Sequence, residues 1–493
     1  MKIGFDNDKY LKMQSQHIRS RIDEFGGKLY LEFGGKIFDD YHASRVLPGF
    51  LPDSKMKMLL ELKDEAEMII AINANDIEKN KVRGDIGITY DLDILRLIDF
   101  YTNFGLLVCG VVMTQFNFQP SAIAFEEKLQ KLGISVYRHY AIPNYPSDVA
   151  LIVSDDGYGK NDYIKTTRSL LVVTAPGPGS GKMAVCLSQL YHEHKMGVRA
   201  GYAKFETFPI WNLSLKHPVN LAYEAATTDL NDVNMIDPFH LEAYGKTTVN
   251  YNRDIEVFPV LNTIFEKIYG QSPYKSPTDM GVNMAGNCIT NDDIVSEAAR
   301  QEVIRRYFKS LVSQKNGNDV GDEVFKLTLL MKQLGITTEN RKCVDAALKV
   351  SNETGEPAVA AELPNGKIVT GKTSDLLGAS SAMLLNALKT IANINDDIKI
   401  ISPVIIEPIQ DLKVNHLGNK NPRLHTDEVL LALSISAATN PTAELAMQAL
   451  EKLRGCEVHS TVILSDVDLH TFSKLGFNVT CEPQRQTNNL FNR

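Results

Sequence analysis

The sequence predicts an α/β protein whose N-terminal part is built on a mostly parallel sheet. Apolar runs alternate with helix-like stretches from the N-terminus to about residue 250. Several of these runs are continuously apolar, as expected for strands that are covered on both faces. The helix-like stretches, such as 121–133, end at glycine, which favours helix termination.

Six apolar runs are candidate strands of this sheet. Each is short and rich in branched side chains, which fit a pleated surface. They lie at 28–35, 67–73, 106–114, 149–155, 170–176 and 198–206. We therefore predict a Rossmann-like or P-loop-like α/β domain over residues 1–254.

The pattern becomes helical after this domain. Apolar residues recur at three- and four-residue spacing in the segments 258–270, 291–314 and 321–335. Asn291 or Asp292 is expected to cap the second helix, and Gly335 is expected to end the third. The pattern predicts a helical subdomain over residues 255–355.

Strands return in a C-terminal α/β domain, which we assign to residues 356–493. It opens with a predicted hairpin whose tight turn is Asn365-Gly366. Helices are expected at 378–392 and 440–455, and strands at 398–409, 457–465 and 477–483.

Composition excludes several classes of protein. The 493 residues are 44% hydrophobic and 23% charged, with a net charge of −8, so no basic excess favours general nucleic-acid binding. The six cysteines are scattered without a C-x-x-C pair, which argues against a disulfide framework or zinc knuckle and fits a reducing cytoplasm. We expect no apolar leader at the N-terminus and no membrane span.

The glycine-rich loop "APGPGSGK" is the main candidate site. A buried strand precedes it and a helix follows it, which is the layout of a phosphate-binding P-loop. In such loops the backbone N–H groups and the positive helix end hold phosphate oxygens. The residues suited to this task are Gly177, Gly179, Ser180, Gly181 and Lys182.

Two departures narrow this interpretation. Pro176 stands where a P-loop has its first glycine, and Met183 stands where a Ser or Thr would bind magnesium. The run 149–156 has the shape of the acidic strand that supplies the second metal contact, but it precedes the loop. The loop therefore predicts anion binding without the usual metal, or else a purely structural turn.

A polar stretch at 225–245 supplies candidate catalytic residues. Asp229 and His240 are our first choices there, because both side chains can move protons or bind metal. Arg253, further on, could pair with a phosphate or carboxylate. The alternatives are a solvated connection whose acidic residues cap turns, and a surface arginine beside a helix cap.

Three further segments each allow a functional and a structural interpretation. A loop over 34–50 is expected at the carboxyl end of a strand, where ligands usually bind in α/β sheets. The segment 274–283 is either a lid or a plain linker. The polar loop 415–428 is either an anion site or structural. The charged candidates in the first and third segments are Lys36, Asp39, Asp40, His42, Arg45, His416, Lys420, Arg423 and His425.

Long strings of this sequence resemble a bacterial family of unknown function. They include "KLYLEFGGKIFDDYHASRVLPGF", "APGPGSGKMAVCLSQLYHE", "NMIDPFHLEAYG" and "LHTDEVLLALSISAATNPTAELA". The family is catalogued as domain of unknown function eighteen forty-six, and the likeness spans nearly the whole chain. It implies a cytoplasmic protein with α/β, helical and C-terminal α/β parts.

Some relatives in that family carry an ATP-dependent peptidase or zinc protease label. A zinc protease helix needs His-Glu-x-x-His, and no such motif occurs. A serine hydrolase elbow needs Gly-x-Ser-x-Gly, and Ser180 has the wrong offset. The residues therefore do not support a peptidase.

The C-terminal hairpin and helix also resemble the core of the cytidine-deaminase fold. In those enzymes the helix start carries His/Cys-x-Glu and a later Cys-x-x-Cys completes a zinc site. Here the helix starts Gly378-Ala379-Ser380, and no Cys-x-x-Cys follows. The resemblance implies a scaffold without the metal, or a different site.

Three hypotheses follow. The chain is an enzyme acting on a phosphorylated small molecule or nucleotide, a metabolite-binding regulator without turnover, or a scaffold whose glycine loop is structural. The expected partner in the first two cases is a small phosphate compound, with no nucleic acid, membrane or bound metal. A homo-oligomer is also compatible with the abundant apolar helix faces.

Overall fold

Strands buried along their whole length organise the first half of the chain. The computed structural model describes residues 3–35, 37, 40–83 and 87–486. Within these residues the chain folds into two compact units. The first contains the residues up to Glu224 together with Asn231–Ala298, and the second contains Ala225–Leu230 and the residues from Ala299 onward.

The first unit is built on a seven-stranded parallel sheet of order β4-β3-β2-β5-β1-β6-β9. All five residues of β1 and of β5 are buried, as their continuous apolar character predicted. The α/β class with a large parallel sheet is therefore confirmed. The strands are β1 (Leu29–Phe33), β2 (Ala66–Asn73), β3 (Leu107–Phe116), β4 (Val136–Tyr140), β5 (Leu170–Thr174), β6 (Gly201–Phe205) and β9 (Gly281–Val282).

A separate two-stranded antiparallel ribbon joins β7 (Asn234–Ile236) to β8 (Val249–Tyr251). Helices fill the connections of the first unit. They are α1 (Asn7–Glu24), α2 (Tyr41–Val46), α3 (Ser54–Glu61), α4 (Ala74–Glu78), α5 (Tyr90–Asn103), α6 (Pro120–Lys131), α7 (Val149–Ile152), α8 (Lys182–Lys195), α9 (Pro218–Ala226), α10 (Pro238–Tyr244), α11 (Asn252–Tyr269) and α12 (Pro277–Met280).

The prediction of a strand at 149–155 was wrong. Asp148 caps the short helix α7 there, since its side chain accepts a hydrogen bond from the N–H of Leu151. The edge strand is instead β4, which sequence analysis missed because "VYRHY" has a single aliphatic residue and two adjacent polar ones, Arg138 and His139. Its outer N–H groups are used by Asp162, which accepts from Arg138 at 2.6 Å, and by Asn161, which accepts from Tyr140 at 2.8 Å. These caps make β4 a poor template for pairing with another chain.

The segment 274–283, weighed as a lid or a linker, is neither. Ser276 caps α12, and Val282 pairs with Phe205 in the sheet. Its side chains are largely buried, with Tyr274, Pro277 and Met280 in the interior. The chain therefore enters the sheet edge here and does not form a mobile cover.

The second unit contains a mixed sheet of order β11-β10-β12-β13. Its strands are β10 (Ala358–Glu362), β11 (Ile368–Lys372), β12 (Glu457–Ser460) and β13 (Asn478–Cys481). The predicted hairpin is confirmed, because β10 and β11 are antiparallel and Gly366 takes a φ of +81° in the turn. Helix α13 (Asp292–Lys315) begins in the first unit, and Asn291 caps it by accepting from Ile294 N–H.

The other helices of the second unit follow α13 in chain order. They are α14 (Glu323–Leu334), α15 (Lys342–Thr354), α16 (Ala379–Ile391), α17 (Pro403–Asp411), α18 (Thr426–Ala437), α19 (Pro441–Gln448) and α20 (Asp466–Leu475). Gly335 ends α14 with a φ of +63°, as expected for a helix terminus. None of the described helices is long and apolar enough to cross a membrane.

The strand predicted at 398–409 was also wrong. Pro403 occupies the first turn of α17, where its missing N–H costs nothing, and residues 398–402 form no strand. The run is apolar because one side of the helix packs on the core of the second unit, where Ile406 is buried. Periodicity alone could not separate a short buried helix from a strand here.

Residues 255–355, which we assigned to a helical subdomain, are divided between the two units at Ala298 and Ala299. All six cysteines are free thiols, and all but Cys109 are buried.

The second unit is braced by one buried ionic cluster. Arg341, only 1% exposed, donates to Glu457, Thr480 and the carbonyls of Val458 and Asn478. Arg305 donates to the other oxygen of Glu457 at 2.8 Å. Although burial alone would raise the pKa of Glu457, the two arginines hold it below its ordinary value. This carboxylate therefore joins α13, the start of α15 and the mixed sheet.

Glu457→Gln should destabilise the second unit by about 3 kcal/mol, because removing one partner of a buried ion pair leaves the other charges uncompensated. Glu362→Gln is the matched control. Glu362 lies opposite Glu457 in the strand register, but its partner Lys342 is 68% exposed, and loss of such a pair costs at most about 1 kcal/mol.

Urea unfolding followed by circular dichroism measures the loss. The only tryptophan, Trp211, lies in the first unit, so its fluorescence identifies that unit's transition separately. The wild-type contribution of Glu457 should be present near neutral pH and disappear as the pH falls through its lowered pKa. Equal effects of the two substitutions would contradict the assignment.

Candidate functional site

The topology of the first unit places one crevice at the carboxyl end of its sheet. From β1 the chain runs to β2 on one side, whereas from β5 it runs to β6 on the other side. Because crossovers between parallel strands are right-handed, the segments leaving β1 and β5 go to opposite faces. Strands β1 and β5 are neighbours, and such a switch point is where α/β sheets bind ligands. The glycine loop follows β5 and therefore borders this crevice.

The glycine loop reaches the helix through two left-handed residues. Gly179 has a φ of +76°, and Gly181, the residue before α8, has a φ of +82°. A side chain at Gly181 would also come within 3.0 Å of Thr114. A Cβ at Gly177 would lie 2.3 Å from the Tyr90 hydroxyl oxygen. Glycine is required at these positions by backbone conformation and by close packing.

The carbonyl groups of the loop are tied to the protein. Ser180 O accepts from Thr114 Oγ1 at 2.8 Å, and Gly179 O accepts from Asn73 Nδ2 at 3.4 Å. Gly177 O accepts from the hydroxyl of Ser180, which is itself fully buried. The Ser180 hydroxyl therefore braces the loop from within.

The N–H groups of the loop have no such partners. Within the described part of the chain, no hydrogen bond engages the main-chain N–H of Gly177, Gly179, Gly181 or Lys182, and these residues are at least partly accessible. A loop with clamped carbonyls and free amides at a helix start has the chemistry of an anion site.

Lys182 is the first residue of α8 and is half-buried. Among the described residues, its ammonium group makes no hydrogen bond or ion pair. It lies near Cys186: burial raises the pKa of the Cys186 thiol, the Glu32 carboxylate raises it further, and Lys182 lowers it. Met183, the next residue, offers no hydroxyl for a metal ion.

A buried charged cluster lies further along the same sheet edge. We call Lys204, Glu206, Tyr251 and Asp254 the β6 cluster. Lys204 Nζ donates to both oxygens of Asp254 at 2.8 and 2.6 Å and to Tyr251 Oη at 2.7 Å, and it lies 3.2 Å from Glu206. The Tyr251 hydroxyl donates to the other oxygen of Glu206. Glu32 on β1 pairs with Lys204 in the strand register, so its side chain shares that face.

The pKa values of Lys204 and Glu206 are both raised. Burial alone would lower the pKa of Lys204, but the carboxylates of Asp254, Glu206 and Glu32 raise it. Burial raises the pKa of Glu206, Lys204 opposes that effect, and the Asp254 carboxylate adds to it. Lys204 is therefore held as a cation, while Glu206 resists ionisation.

A cavity opens beside the β6 cluster within the first unit. It is small and partly open to solvent, and its wall includes Lys204, Glu206, Asp254 and the indole ring of Trp211. Polar groups that converge on such an opening beside an aromatic ring are typical of small-molecule sites. Sequence analysis missed Lys204 and Glu206, although two charges two residues apart in the apolar run 198–206 are a signal of shared orientation in a strand.

The three predicted catalytic residues belong to different elements, and Asp229 belongs to a different unit from His240 and Arg253. Asp229 is exposed and belongs to the segment Ala225–Leu230 of the second unit. His240 lies on α10, where its Nδ1 is 3.0 Å from Ser276 Oγ and 3.6 Å from Asp279 Oδ1. Arg253 pairs with Asp232 through two contacts of 2.8 and 3.0 Å and lies over the Tyr251 ring. Among the described residues, neither His240 nor Arg253 makes a hydrogen bond or ion pair with the glycine loop, so the catalytic roles of all three stay predictions.

The stretch 225–245 contains regular secondary structure and is not the solvated connection given above as an alternative. It contains β7 and α10, and Asp237, which is fully buried, caps α10 by accepting from His240 N–H. The same carboxylate accepts from Thr278 Oγ1 at 2.6 Å. Its acidic and polar residues therefore hold this region together.

The remaining charged candidates are mostly paired. Asp40 caps α2 and binds the buried Lys55 at 2.8 Å, while His42 and Arg45 lie on α2. Lys36 and Asp39 lie outside the described residues. In the segment 415–428, Arg423 Nε donates to Ser374 O.

His425 also has a structural part in that segment. It caps α18 and lies 3.1 Å from Asp468, whose hydrogen bond raises the pKa of the imidazole. His416 is exposed and lies 3.8 Å from Asp411, and Lys420 also has an interaction within the protein. The structure shows no converging set of cations there.

No zinc or other metal centre emerges from the side chains. Among the described residues, no group of three or more His, Cys, Asp or Glu side chains is placed to hold a metal ion.

Comparison with known proteins gives the family. Residues 3–335 match the model described as "Domain of unknown function DUF1846, N-terminal", and residues 339–491 match its C-terminal counterpart. The chain is 59% identical to a UPF0371 protein of Corynebacterium diphtheriae, covering 100% of this chain and 99% of that protein. It is 58% identical to UPF0371 proteins of Corynebacterium urealyticum and Streptococcus equi, covering 98% and 99% of this chain and 97% and 99% of those proteins. The chain therefore belongs to the bacterial DUF1846 family, whose N- and C-terminal domains it carries.

Proposed function

We propose that the first unit binds a small molecule through a phosphate group at the loop Gly177–Lys182. The observation that carries this proposal is the contrast between the carbonyl groups of the loop, which are hydrogen-bonded, and its N–H groups, which are not. Its carbonyls are clamped by Thr114, Asn73 and Ser180, while its N–H groups and Lys182 have no partner among the described residues. A phosphate would supply acceptors to these donors at the positive end of α8.

The P-loop-like interpretation of this domain is part of the proposal. The strand-loop-helix order and the position at the switch point support it, whereas Met183 departs from the pattern. We infer that phosphate is held by amides and Lys182 without a magnesium ion at the helix start. A nucleotide or a phosphorylated metabolite fits this chemistry, and a nucleic-acid polymer does not, given the net charge of −8.

Whether the ligand is turned over divides two versions of the proposal. In the first, the chain is an enzyme on a phosphorylated metabolite, with Asp229, His240 or Arg253 in proton transfer or substrate binding. In the second, it is a regulator that binds the metabolite without reaction. Met183 favours the second over a magnesium-dependent hydrolase, because phosphoryl transfer relies on metal at that position. The remaining alternative is a structural oligomer with a non-binding loop.

In this proposal the second unit acts as a scaffold. Its hairpin followed by α16 supports the likeness to the cytidine-deaminase core. Gly378, Ala379 and Ser380 at the helix start supply neither a zinc ligand nor a general base. The free thiols support a reducing compartment such as the cytoplasm.

Phosphate compounds should stabilise the first unit, and Lys182→Met should remove the effect. A ligand at 100 times its dissociation constant adds about 2.7 kcal/mol to the free energy of unfolding. The measurement is thermal unfolding followed by Trp211 fluorescence, with inorganic phosphate, nucleoside monophosphates, ATP, GTP and sugar phosphates. Lys128→Met is the matched control, since Lys128 is an exposed lysine of the same unit in the last turn of α6.

Stabilisation that survives in Lys182→Met, or none with any phosphate compound, would contradict the proposal. Turnover assays on the compounds that bind would then separate enzyme from regulator. A bound compound that is recovered unchanged assigns the regulator.

Magnesium should have little effect on binding. Because Met183 replaces the metal-binding hydroxyl, the affinity for a nucleoside monophosphate should change less than about threefold between EDTA and excess magnesium. Isothermal titration under the two conditions measures this. Met183→Thr restores the hydroxyl and tests whether a metal can be recruited. Strong magnesium dependence in the wild type would show that another group holds a metal at the loop.

A further inference from the structure

The cavity beside the β6 cluster has a charge pattern unlike that of the glycine loop. Among the described residues, Lys204 is the only cationic side chain in its wall, and Asp254 neutralises it through two short contacts. Glu206 is then an additional carboxyl group without a cation of its own. Its side chain is 26% exposed, compared with 11% for Lys204 and 10% for Asp254, so it is the most accessible of the three.

The cavity is not built to bind an anion. An ammonium group has three donor hydrogens, and those of Lys204 face Asp254, Tyr251 and Glu206. No donor of Lys204 remains for a phosphate or a carboxylate. An anion here would also meet the carboxylates of Glu206 and Asp254 at close range.

Glu206 retains capacity for another donor. A carboxylate has about four acceptor positions, and this one receives the Tyr251 hydroxyl on one oxygen and faces Lys204 from the other. The charged groups and tyrosines that act on Glu206 are Glu32, Lys204, Tyr223, Tyr251, Arg253 and Asp254. A positive ligand group would relieve the repulsion among its carboxylates.

The rest of the wall suits an organic cation instead of a bare metal ion. The Trp211 indole N–H donates to Asn283 O at 2.6 Å, so the polar atom of the ring is already satisfied. One atom of its six-membered ring, Cζ3, lies 3.8 Å from the point that a Cβ added at Gly281 would occupy, so the ring lies beside the sheet edge. Phe208 and Val249 add apolar surface. Tryptophan is also the best aromatic partner for an ammonium group.

We propose that this cavity binds a small primary amine, whose ammonium group donates to Glu206 and whose carbon chain lies against Trp211. The site is separate in its residues from the proposed phosphate site at the glycine loop. It gives the first unit a second ligand of opposite charge.

Trp211 reports on this cavity directly, because it is the only tryptophan in the chain. The experiment titrates the full-length protein with n-butylamine, putrescine and, as the uncharged counterpart of butylamine, n-butanol. The amines should change Trp211 fluorescence in a saturable manner, and n-butanol should not. Affinity should rise with pH while Glu206 ionises, because its raised pKa makes the carboxylate scarce in acid.

Glu206→Gln keeps the shape of the side chain and removes its charge, and it should weaken amine binding by at least about tenfold. Lys182→Met should leave amine binding unchanged. Thermal unfolding of Glu206→Gln without ligand checks that the first unit still folds. Its response to phosphate compounds keeps a failure here distinct from a failure of the proposed phosphate site.

Three results would overturn the proposal. They are equal binding of n-butanol and n-butylamine, unchanged amine affinity in a folded Glu206→Gln variant, and no saturable response to either amine over the pH range in which Glu206 ionises.

Discussion

The first unit depends on the insertion of β1 between β5 and β6. These pairings join residue 29 to residues 170 and 201, so they close very long loops of chain. All five residues of β1 are buried, and the apolar surface that it contributes stabilises the pairing. Without this strand the switch point would not exist. The crevice opens because the chain leaves β1 and β5 toward opposite sides of the sheet.

The same strand sets the electrostatics of the sheet face beneath α8. Tyr30 donates to Glu193 on that helix at 2.7 Å, and Glu32, two residues on, accepts from Tyr202 at 2.6 Å. Two carboxylates therefore lie under the helix that Lys182 begins, and Lys28 pairs with one of them, Glu193. Lys204 on β6 lies beside Glu32 in the strand register and has the opposite charge, and Asp254 and Tyr251 hold its ammonium group in place. Both Lys182 and Lys204 lie at one sheet edge, but Lys182 has no partner among the described residues, whereas all donors of Lys204 are engaged.

Sequence reasoning reached the fold class because burial on both faces leaves a continuous apolar trace, as in β1 and β5. It failed where the apolar or polar character of a run does not match the element that the run forms in the fold. The run 398–409 is apolar but carries Pro403, which fits a helix start, and β4 is a true strand with a polar pattern because it lies at an edge. Local sequence indicated the glycine loop, because its candidate binding residues are neighbours in the chain. The β6 cluster escaped notice because its members come from residues 204 to 254, which only the tertiary fold brings together.

The clamping of the glycine loop by Ser180 and Thr114 has a consequence for the thermodynamics of recognition. Ordering a residue of backbone costs about 1–2 kcal/mol in conformational entropy, and in this loop the cost is met during folding. A ligand that docks on such a preorganised loop gains affinity from each contact without first having to shape the site. Its selectivity then rests on geometric fit to a fixed set of donors. Thr114, whose hydroxyl donates to the Ser180 carbonyl, therefore contributes the rigidity on which that fit depends.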